Sequence, residues 1–264
     1  MIRVLFVGDV VGDAGRKALR THLEGLLDRE MVDFVVVNVE NAAGGFGLTP
    51  KILQELDALP IHVWTTGNHV WDRKEGVQLL DAHPALLRPA NYPEGNPGRG
   101  WCVEETAAGV AVAVVNLQGQ ALMAPVDNPF RKADRVLDEI ARQFPEVRVV
   151  VVDMHAEATS EKQAMGWHLD GRVTAVLGTH THVPTDDERV LPGGTAFQTD
   201  VGMTGPYESV IGMKREPALE RFLFNTPRSL EPAKRGLQLR GVLVDADEES
   251  GRALAIRRVR VDGP

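Results

Sequence analysis

The sequence has very little cysteine and no long apolar run. Cys102 is the only cysteine among 264 residues, which excludes a framework of intrachain disulfides and fits a reducing compartment. No apolar stretch approaches the ~20 residues that a membrane-spanning helix needs. Residues 1–7 lack the extended apolar segment and the small-residue cleavage site of a signal peptide and are typical of a buried strand. We therefore expect a cytoplasmic protein with no membrane partner.

Positive charge and aromatic side chains are also scarce. The formal net charge is −8, and only 5% of the residues are aromatic. This balance argues against an extended nucleic-acid surface, because such a surface needs many cations to neutralise phosphates. The few tryptophans are expected mainly in the core, with Trp71 and Trp101 the preferred candidates for a nucleobase contact. The composition leaves open whether the chain forms a homo-oligomer.

Short apolar runs alternate with amphipathic stretches over the first two thirds of the chain. Thr49-Pro50 and Asn128-Pro129 predict helix starts, because a capping side chain precedes a proline at the first helical position. Further helices are expected over residues 72–80 and 160–169, and strands over residues 4–7, 34–37, 63–65, 110–116, 147–152 and 173–177. Strands that are apolar on both faces and alternate with helices indicate a layered α/β or α/β/α architecture.

The last third of the chain has a weaker helical pattern. Strand-like segments at residues 196–198, 239–244 and 253–261 predict a mixed sheet with antiparallel members. No repeat or linker interrupts the sequence, so we expect one domain over residues 1–264. A segment rich in proline and glycine at residues 89–100 is predicted to be an exposed loop that acts as a lid or specificity element.

Five of the predicted strands end in side chains that bind metals. The run Gly178-Thr179-His180-Thr181-His182 follows a buried strand, and a strand would point both of its imidazoles the same way. In α/β sheets, ligands bind outside the carboxyl ends of the strands. The five strand ends carry Gly8-Asp9, Asn38-Val39-Glu40-Asn41, Gly67-Asn68-His69, Asp153-Met154-His155 and His180-Thr181-His182. Five such endings in series predict a metal centre.

These residue types suit a centre that holds two metal ions. A carboxylate such as Glu40 can bridge two cations about 4 Å apart, while Asp9, amide oxygens and imidazoles complete each coordination shell. Mixed nitrogen and oxygen ligands without thiolate favour Mn, Fe, Zn or Ni over Mg alone. Two metals this close stabilise a phosphoryl oxygen and lower the pKa of a bridging water. The pattern therefore predicts in-line hydrolysis of a phosphate ester.

The same motifs resemble those of the calcineurin-like metallophosphoesterases. The resemblance rests on Gly8-Asp9, Gly67-Asn68-His69, Asp153-Met154-His155 and His180-Thr181-His182. Two positions depart from it: Val11 stands where the first motif of that superfamily has a histidine, and Glu40-Asn41 replaces its aspartate-containing second motif. These departures, together with residues 41–45, 153–162 and 200–205, resemble the bacterial YmdB-type branch.

The resemblance implies a fold, an activity and a set of site residues. The fold would be a layered α/β/β/α sandwich of the metallophosphoesterase type with mixed sheets. The activity would be that of a 2′,3′-cyclic nucleotide phosphodiesterase with two metal ions, Fe or Mn. The first metal would be held by Asp9, Glu40, Asn41 and His182, and the second by Glu40 as the bridge, Asn68, His155 and His180. His69 would be the catalytic residue, an imidazolium that faces the substrate and protonates the leaving oxygen.

Neighbouring residues are candidates for supporting roles. Asp72 and Asp153 are suited to orient imidazoles, and Glu157, Thr159, Lys162 and Thr181 to contact substrate or ligands. The amide of Asn41 is also suited to cap the glycine-rich turn that follows it. Two alternatives to a phosphodiesterase of small cyclic nucleotides stay open. One is a phosphomonoesterase or nuclease with the same centre, and the other is a regulator that binds nucleotide or metal with little turnover.

Overall fold

Two mixed β-sheets and seven helices are present in residues 1–263, the part of the chain that the computed structural model describes. The helices are α1 (Gly12–Glu30), α2 (Pro50–Asp57), α3 (Lys74–Val77), α4 (Leu79–Ala82), α5 (Pro129–Gln143), α6 (Thr159–Leu169) and α7 (Arg215–Phe224). The strands are β1 (Ile2–Val7), β2 (Phe34–Asn38), β3 (Val63–Thr65), β4 (Trp101–Glu105), β5 (Ala111–Gln118), β6 (Val149–His155), β7 (Ala175–Thr179), β8 (Arg189–Val190), β9 (Ala196–Gln198), β10 (Gly205–Pro206), β11 (Leu237–Ala246) and β12 (Ala253–Asp262). Across these residues, none of the helices combines the length and the apolar character that crossing a membrane requires.

Each sheet combines parallel and antiparallel strands. The first sheet has the order β10–β11–β1–β2–β3, with β12 paired to β11. Its strands β1, β2 and β3 are parallel, whereas β11 is antiparallel to both β1 and β12. The second sheet has the order β4–β5–β6–β7–β9–β8, with only the edge strands β4 and β8 antiparallel to their neighbours. The expected α/β fold with mixed sheets is confirmed.

The alternation of side chains along the central strands builds four layers. In β1, Val4 and Phe6 lie in an apolar core shared with the second sheet, whereas Leu5 and Val7 lie in a cluster with α1 and α2. A third cluster joins the other face of the second sheet to α5 and α6. Strands covered on both faces need apolar side chains at successive positions, which explains their unbroken apolar runs. The layers are therefore helices, sheet, sheet and helices.

The two predicted helix starts are confirmed. Thr49 Oγ1 accepts a hydrogen bond from the backbone N–H of Ile52 at 3.4 Å, at the start of α2. Asn128 Oδ1 accepts from the backbone N–H of Arg131 at 3.1 Å, at the start of α5. Each cap satisfies a backbone donor that the first helical turn leaves without an intrahelical partner.

Four segments differ from the sequence predictions. The helix predicted over residues 72–80 is divided into α3 and α4 at Gln78. Helix α7 was not predicted because Ala218 is its only buried side chain. Strand β4 was not predicted because most of its side chains are only partly buried. The loop predicted over residues 89–100 is buried at residues 89–92, so only its later part reaches solvent.

Candidate metal centre

The strand ends of both sheets meet at one edge and bring the predicted ligands together. His155 is the last residue of β6, and Asp9 and Glu40 lie just beyond β1 and β2. The backbone N–H of His180, just beyond β7, donates to Asp9 Oδ2 at 3.2 Å. Because the two sheets pack face to face, side chains from both reach the same point.

Glu40 belongs to two groups of metal-binding side chains. One group consists of Asp9, Glu40 and His182, and the other of Glu40, His155 and His180. Within each group, ligand atoms from the three residues lie within 4.8 Å of one another. A carboxylate common to two sets of donors is the arrangement in which one side chain bridges two cations.

The two predicted amide ligands each lie against a histidine of one group. Asn41 Oδ1 is 3.2 Å from His182 Nε2, and Asn68 Oδ1 is 3.0 Å from His155 Nε2. Asn41 Nδ2 donates to the carbonyl oxygen of Gly45 at 2.9 Å, which turns the amide oxygen toward the site. Asn41 therefore stabilises the glycine-rich turn and presents an oxygen to the first group at the same time.

Two buried carboxylate oxygens of the site accept no hydrogen bond. Asp9 Oδ1 and Glu40 Oε1 have no donor within residues 1–263, although Glu40 Oε1 lies 3.1 Å from His155 Nε2. A buried carboxylate oxygen that accepts no hydrogen bond is costly, so these two oxygens are suited to bind a cation. The donors around them are carboxylate, amide and imidazole groups, a set that fits Mn, Fe or Zn.

Burial and mutual charge perturb the pKa values of these groups. Burial raises the pKa of Asp9 to about 6, against the opposing charges of His182 and His155. Burial also acts to raise the pKa of Glu40, but the neighbouring histidines His155, His69 and His180 together outweigh it, and the pKa falls to about 2. Burial acts to lower the pKa of His155, yet Glu40 and Asp9 raise it to about 9. Burial and then His155 lower the pKa of His180 to about 3. Positive charge beside the two carboxylates would stabilise their ionised forms, and a bound metal ion would supply it.

A chain of hydrogen bonds orients His155. Its Nδ1 lies 2.8 Å from Thr179 Oγ1, which donates to Asp153 Oδ1 at 2.6 Å. Since the hydroxyl proton goes to the carboxylate, Thr179 accepts from Nδ1–H, and Nε2 is the ring nitrogen of His155 that is directed at the site. Asp153 therefore supports His155 through Thr179, whereas the sequence suggested a direct contact with the imidazole.

The two histidines of the His-x-His run lie beyond the strand. Strand β7 ends at Thr179, and His180 and His182 have positive φ angles of 94° and 66°. The expectation that strand geometry points both rings the same way is therefore wrong. The left-handed backbone directs the ring of His182 to the group with Asp9 and the ring of His180 to the group with His155. Residues other than glycine hold such angles only where the surroundings enforce them.

A buried ion pair lies under this histidine loop. Lys162 Nζ is 2.8 Å from Asp200 Oδ2, and both side chains are completely buried. The same carboxylate oxygen accepts hydrogen bonds from the backbone N–H of Thr181 at 3.2 Å and from its hydroxyl at 2.6 Å. Lys162 and Thr181 thus support the ligand loop, and Lys162 has no access to a substrate.

The remaining ring nitrogens of the loop histidines are also engaged. His182 Nδ1 lies 2.9 Å from the carbonyl oxygen of Ile211, so it donates there and leaves Nε2 for the first group. His180 Nδ1 lies 3.1 Å from His155 Nε2, and His180 Nε2 is 3.1 Å from Glu157 Oε2. Glu157 therefore orients His180, one of the supporting roles suggested by the sequence.

Val11, where the wider superfamily has a histidine, is an apolar packing position. Its side chain is fully buried, and a Cβ placed on Gly212 or Gly205 would come within 2.8 or 3.1 Å of it. The backbone N–H of Gly12 donates to the carbonyl oxygen of Asn41 at 2.9 Å. This contact ties the start of α1 to the loop that carries the amide ligand of the first group.

His69 lies beside the two groups and is held by its own partner. Its Nδ1 is 2.8 Å from Asp72 Oδ2, the contact that the sequence suggested. Its backbone N–H donates to Glu40 Oε2 at 3.3 Å, and its ring meets Phe46 edge-on with centroids 4.9 Å apart. With Nδ1 engaged by Asp72, Nε2 is the ring nitrogen left for a substrate.

A cavity of about 480 Å³ includes residues from both groups in its lining. Its polar part contains Glu40, Asn41, His69, His180 and His182. The rest of the lining is mainly apolar, and much of it comes from residues 210–230, which include α7. The lining residues of that segment are Val210, Ile211, Met213, Ala218, Arg221, Phe222 and Leu230. The sequence pattern did not predict this cavity wall, because its apolar side chains do not recur at the spacing of a buried helix face or strand.

The aromatic and loop residues first suggested for substrate contact lie elsewhere. Trp71 packs against Tyr92 with ring centroids 5.5 Å apart, and Trp101 packs against Phe144 at 6.1 Å. Neither tryptophan lines the cavity, and no residue of the 89–100 loop does. The aromatic side chains of the lining are instead Phe46 and Phe222.

Comparison with known proteins gives matches over nearly the whole chain. The family model described as YmdB-like protein matches residues 5–259. A 2′,3′-cyclic-nucleotide 2′-phosphodiesterase of Bacillus subtilis strain 168 is 46% identical, over 99% of this chain and 97% of the relative. A putative phosphatase/phosphodiesterase of Mycoplasma pneumoniae is 36% identical, over 98% of this chain and 93% of the relative.

Solved structures agree with these matches. A hypothetical protein from Thermus thermophilus is 42% identical and superposes with a TM-score of 0.92, with 100% of both chains covered. A structure described as a novel phosphatase from Mycoplasma pneumoniae is 34% identical and also has a TM-score of 0.92, over 99% of this chain and 93% of the other. From its sequence and its fold, the chain belongs to the YmdB-like protein family.

Proposed function

We propose that this hydrolytic enzyme is a metal-dependent phosphodiesterase whose substrates are 2′,3′-cyclic nucleoside monophosphates. The observation that carries the proposal is the membership of Glu40 in two groups of donors at the polar part of a 480 Å³ cavity. A pocket of this size suits a small ligand. The name of the Bacillus subtilis relative, a 2′,3′-cyclic-nucleotide 2′-phosphodiesterase at 46% identity, supports the substrate class.

The residues of the two groups would hold two metal ions, Fe or Mn. Asp9, Glu40, Asn41 and His182 would hold the first, and Glu40, Asn68, His155 and His180 the second. The bound ions would stabilise the charge on the phosphoryl oxygens and activate a water for in-line attack. Thr179 and Glu157 keep the ligating nitrogens of His155 and His180 directed at the site by engaging their other nitrogens.

His69 would act as the general acid. Its imidazole lines the cavity, and Asp72 engages Nδ1 at 2.8 Å. Because Asp72 engages Nδ1, Nε2 is the ring nitrogen that would give a proton to the ribose oxygen that leaves the phosphorus. The Phe46 ring against the imidazole limits its rotation. General acid catalysis of this kind contributes roughly 10²–10⁴-fold to the rate.

A substrate panel tests the proposed activity. Purified protein supplied with Mn²⁺ or Fe²⁺ is assayed with 2′,3′-cyclic AMP, 3′,5′-cyclic AMP, bis-p-nitrophenyl phosphate, p-nitrophenyl phosphate and a single-stranded RNA. We expect the highest kcat/KM with the 2′,3′-cyclic nucleotide. Preference for p-nitrophenyl phosphate would identify a phosphomonoesterase, and preference for RNA a nuclease. Tight nucleotide binding with negligible hydrolysis would identify a regulator.

Ligand variants test whether the two groups of side chains carry the activity. Asn68→Ala and His155→Ala should abolish turnover and reduce the metal bound per chain. Thr159→Ala serves as a control because Thr159 starts α6 and does not line the cavity. Normal turnover by the His155 variant would contradict the proposed centre.

A further inference from the structure

The cavity beside the candidate metal centre has an apolar wall that the proposed chemistry leaves without a role. A cyclic phosphate needs only the polar part, where Glu40, Asn41 and the histidines lie. The wall of residues 210–230 contributes Phe222, Ile211, Leu230 and other apolar side chains to the same cavity. A substrate with its phosphate at that polar part would place its remaining atoms toward this wall.

Phe222 is unusually exposed for an aromatic side chain that lines a cavity. It is 80% exposed, whereas most large apolar side chains of the chain are buried. Phe46, the other aromatic side chain of the lining, is partly buried against His69. An exposed aromatic ring at a nucleotide-sized pocket offers a stacking face, which accepts any base because every base has a π-face.

Arg221 is the only cationic side chain of the lining apart from the histidines. It forms no ion pair with any carboxylate of residues 1–263, although its neighbour Glu220 does pair with Arg228 at 2.8 Å. A guanidinium has planar donors and stacks on aromatic rings, and its N–H groups can donate to a ring-nitrogen acceptor of a purine such as N7. Arg221 is thus available to a ligand in the cavity.

We propose that the α7 wall is the nucleobase subsite, with Phe222 stacking on the base and Arg221 contacting its polar edge. This inference rests on the proposed function, because it assigns a binding site to the nucleobase, the part of the cyclic nucleotide that the metal centre does not bind. Phe222 and Arg221 determine specificity and take no part in bond breaking. The subsite makes the enzyme prefer nucleotides over cyclic phosphates that lack a base.

A matched pair of substrates and a matched pair of variants test the subsite. The substrates are 2′,3′-cyclic AMP and methyl riboside 2′,3′-cyclic phosphate, which has the same reacting group and no base. The variants are Phe222→Ala and Phe224→Ala, because Phe224 is 65% exposed on the same helix and does not line the cavity. Phe222→Ala should raise KM for cyclic AMP about tenfold, the effect of losing one base stack, with kcat and the KM of the base-free substrate unchanged.

Arg221→Gln and Arg215→Gln form a second matched pair, since Arg215 starts α7 outside the cavity lining. Arg221→Gln should raise KM for cyclic AMP and leave the base-free substrate unaffected, while Arg215→Gln behaves as wild type. Wild-type enzyme that does not discriminate between the two substrates would overturn the subsite. An equal KM for cyclic AMP in Phe222→Ala and Phe224→Ala would also overturn the subsite.

Calorimetric binding of adenosine 3′-monophosphate separates this inference from the proposed function. Binding requires no turnover, so it reports on the subsite even if the enzyme hydrolyses another phosphate ester. Phe222→Ala should bind the nucleotide about tenfold more weakly than Phe224→Ala. If the enzyme does not hydrolyse cyclic nucleotides but the two variants still differ in binding, only the proposed activity is overturned. If both variants bind the nucleotide equally, the subsite is overturned.

Discussion

At the scale of single residues, the orientation of each candidate ligand is fixed by the hydrogen bonds of its remaining side-chain atoms. Asn41 gives its amide nitrogen to Gly45 and turns its oxygen inward. His182 donates from Nδ1 to a backbone carbonyl and keeps Nε2 for the site. Residue types and spacing predicted from the sequence that these side chains are candidate ligands. The tautomers and the indirect role of Asp153 depended on tertiary partners that no local pattern contains.

The proposed role of His69 is proton transfer without metal binding. His69→Ala should keep the metal content of the wild type and lose roughly 10²–10⁴-fold in kcat, because the general acid is removed while both ligand groups stay intact. Elemental analysis and steady-state kinetics on the same preparation check this. Asp72→Asn, which keeps the imidazole and removes its carboxylate partner, should lose less. A His69 variant with normal kcat would refute the role.

Cys102 should be inert in the folded protein. Burial raises the pKa of its thiol to about 12, so very little reactive thiolate forms at neutral pH. We expect a thiol reagent such as Ellman's reagent to label Cys102 only after the chain is unfolded in denaturant. Rapid stoichiometric labelling of native protein would contradict the buried position.

At the scale of elements, the histidine loop depends on helix α6. Lys162 of α6 and Asp200 form a buried pair that also binds Thr181, between two positive-φ histidines. Apolar strands and capped helices were predictable because their patterns are local. The left-handed loop was not, because its angles are stabilised by residues far away in sequence. Helix α7 was missed since exposed Leu219, Phe222 and Leu223 form no buried stripe.

Lys162→Met should destabilise the fold and the metal site together. Removing one partner of a buried ion pair leaves Asp200 uncompensated, a cost of ~3–5 kcal/mol in the free energy of unfolding. Denaturant unfolding measures that loss, and elemental analysis should show less metal bound. The double variant Lys162→Met/Asp200→Asn should recover part of the unfolding free energy. Wild-type metal content and kcat in the destabilised single variant would show that the pair does not position the loop.

At the scale of the whole molecule, one shared core joins the two sheets. Val4 and Phe6 of the first sheet pack in the same cluster as Val114 and Val151 of the second. The candidate ligands come from both sheets, so they lie close together only when the sheets are packed against each other. We propose that residues 1–264 are a single domain and expect one cooperative thermal transition. Two separate transitions in calorimetry would contradict this.

Metal binding should stabilise the whole fold. A ligand at 100 times its Kd adds about 2.7 kcal/mol, which raises Tm by several degrees in a protein of this size. Protein stripped with a chelator should therefore show a higher Tm after Mn²⁺ is restored. Glu40→Gln should lose most of this increase because Glu40 belongs to both ligand groups. An equal Mn²⁺ effect in wild type and Glu40→Gln would contradict the shared role.

The most direct measurement is the metal content of freshly purified protein, determined together with its turnover of 2′,3′-cyclic AMP. The proposed centre, in which two groups of side chains share Glu40, predicts two metal ions per chain, which we expect to be Fe or Mn. Removal of these ions with a chelator should abolish turnover, and their return should restore it. Full turnover by protein that contains no metal would contradict the two-metal centre.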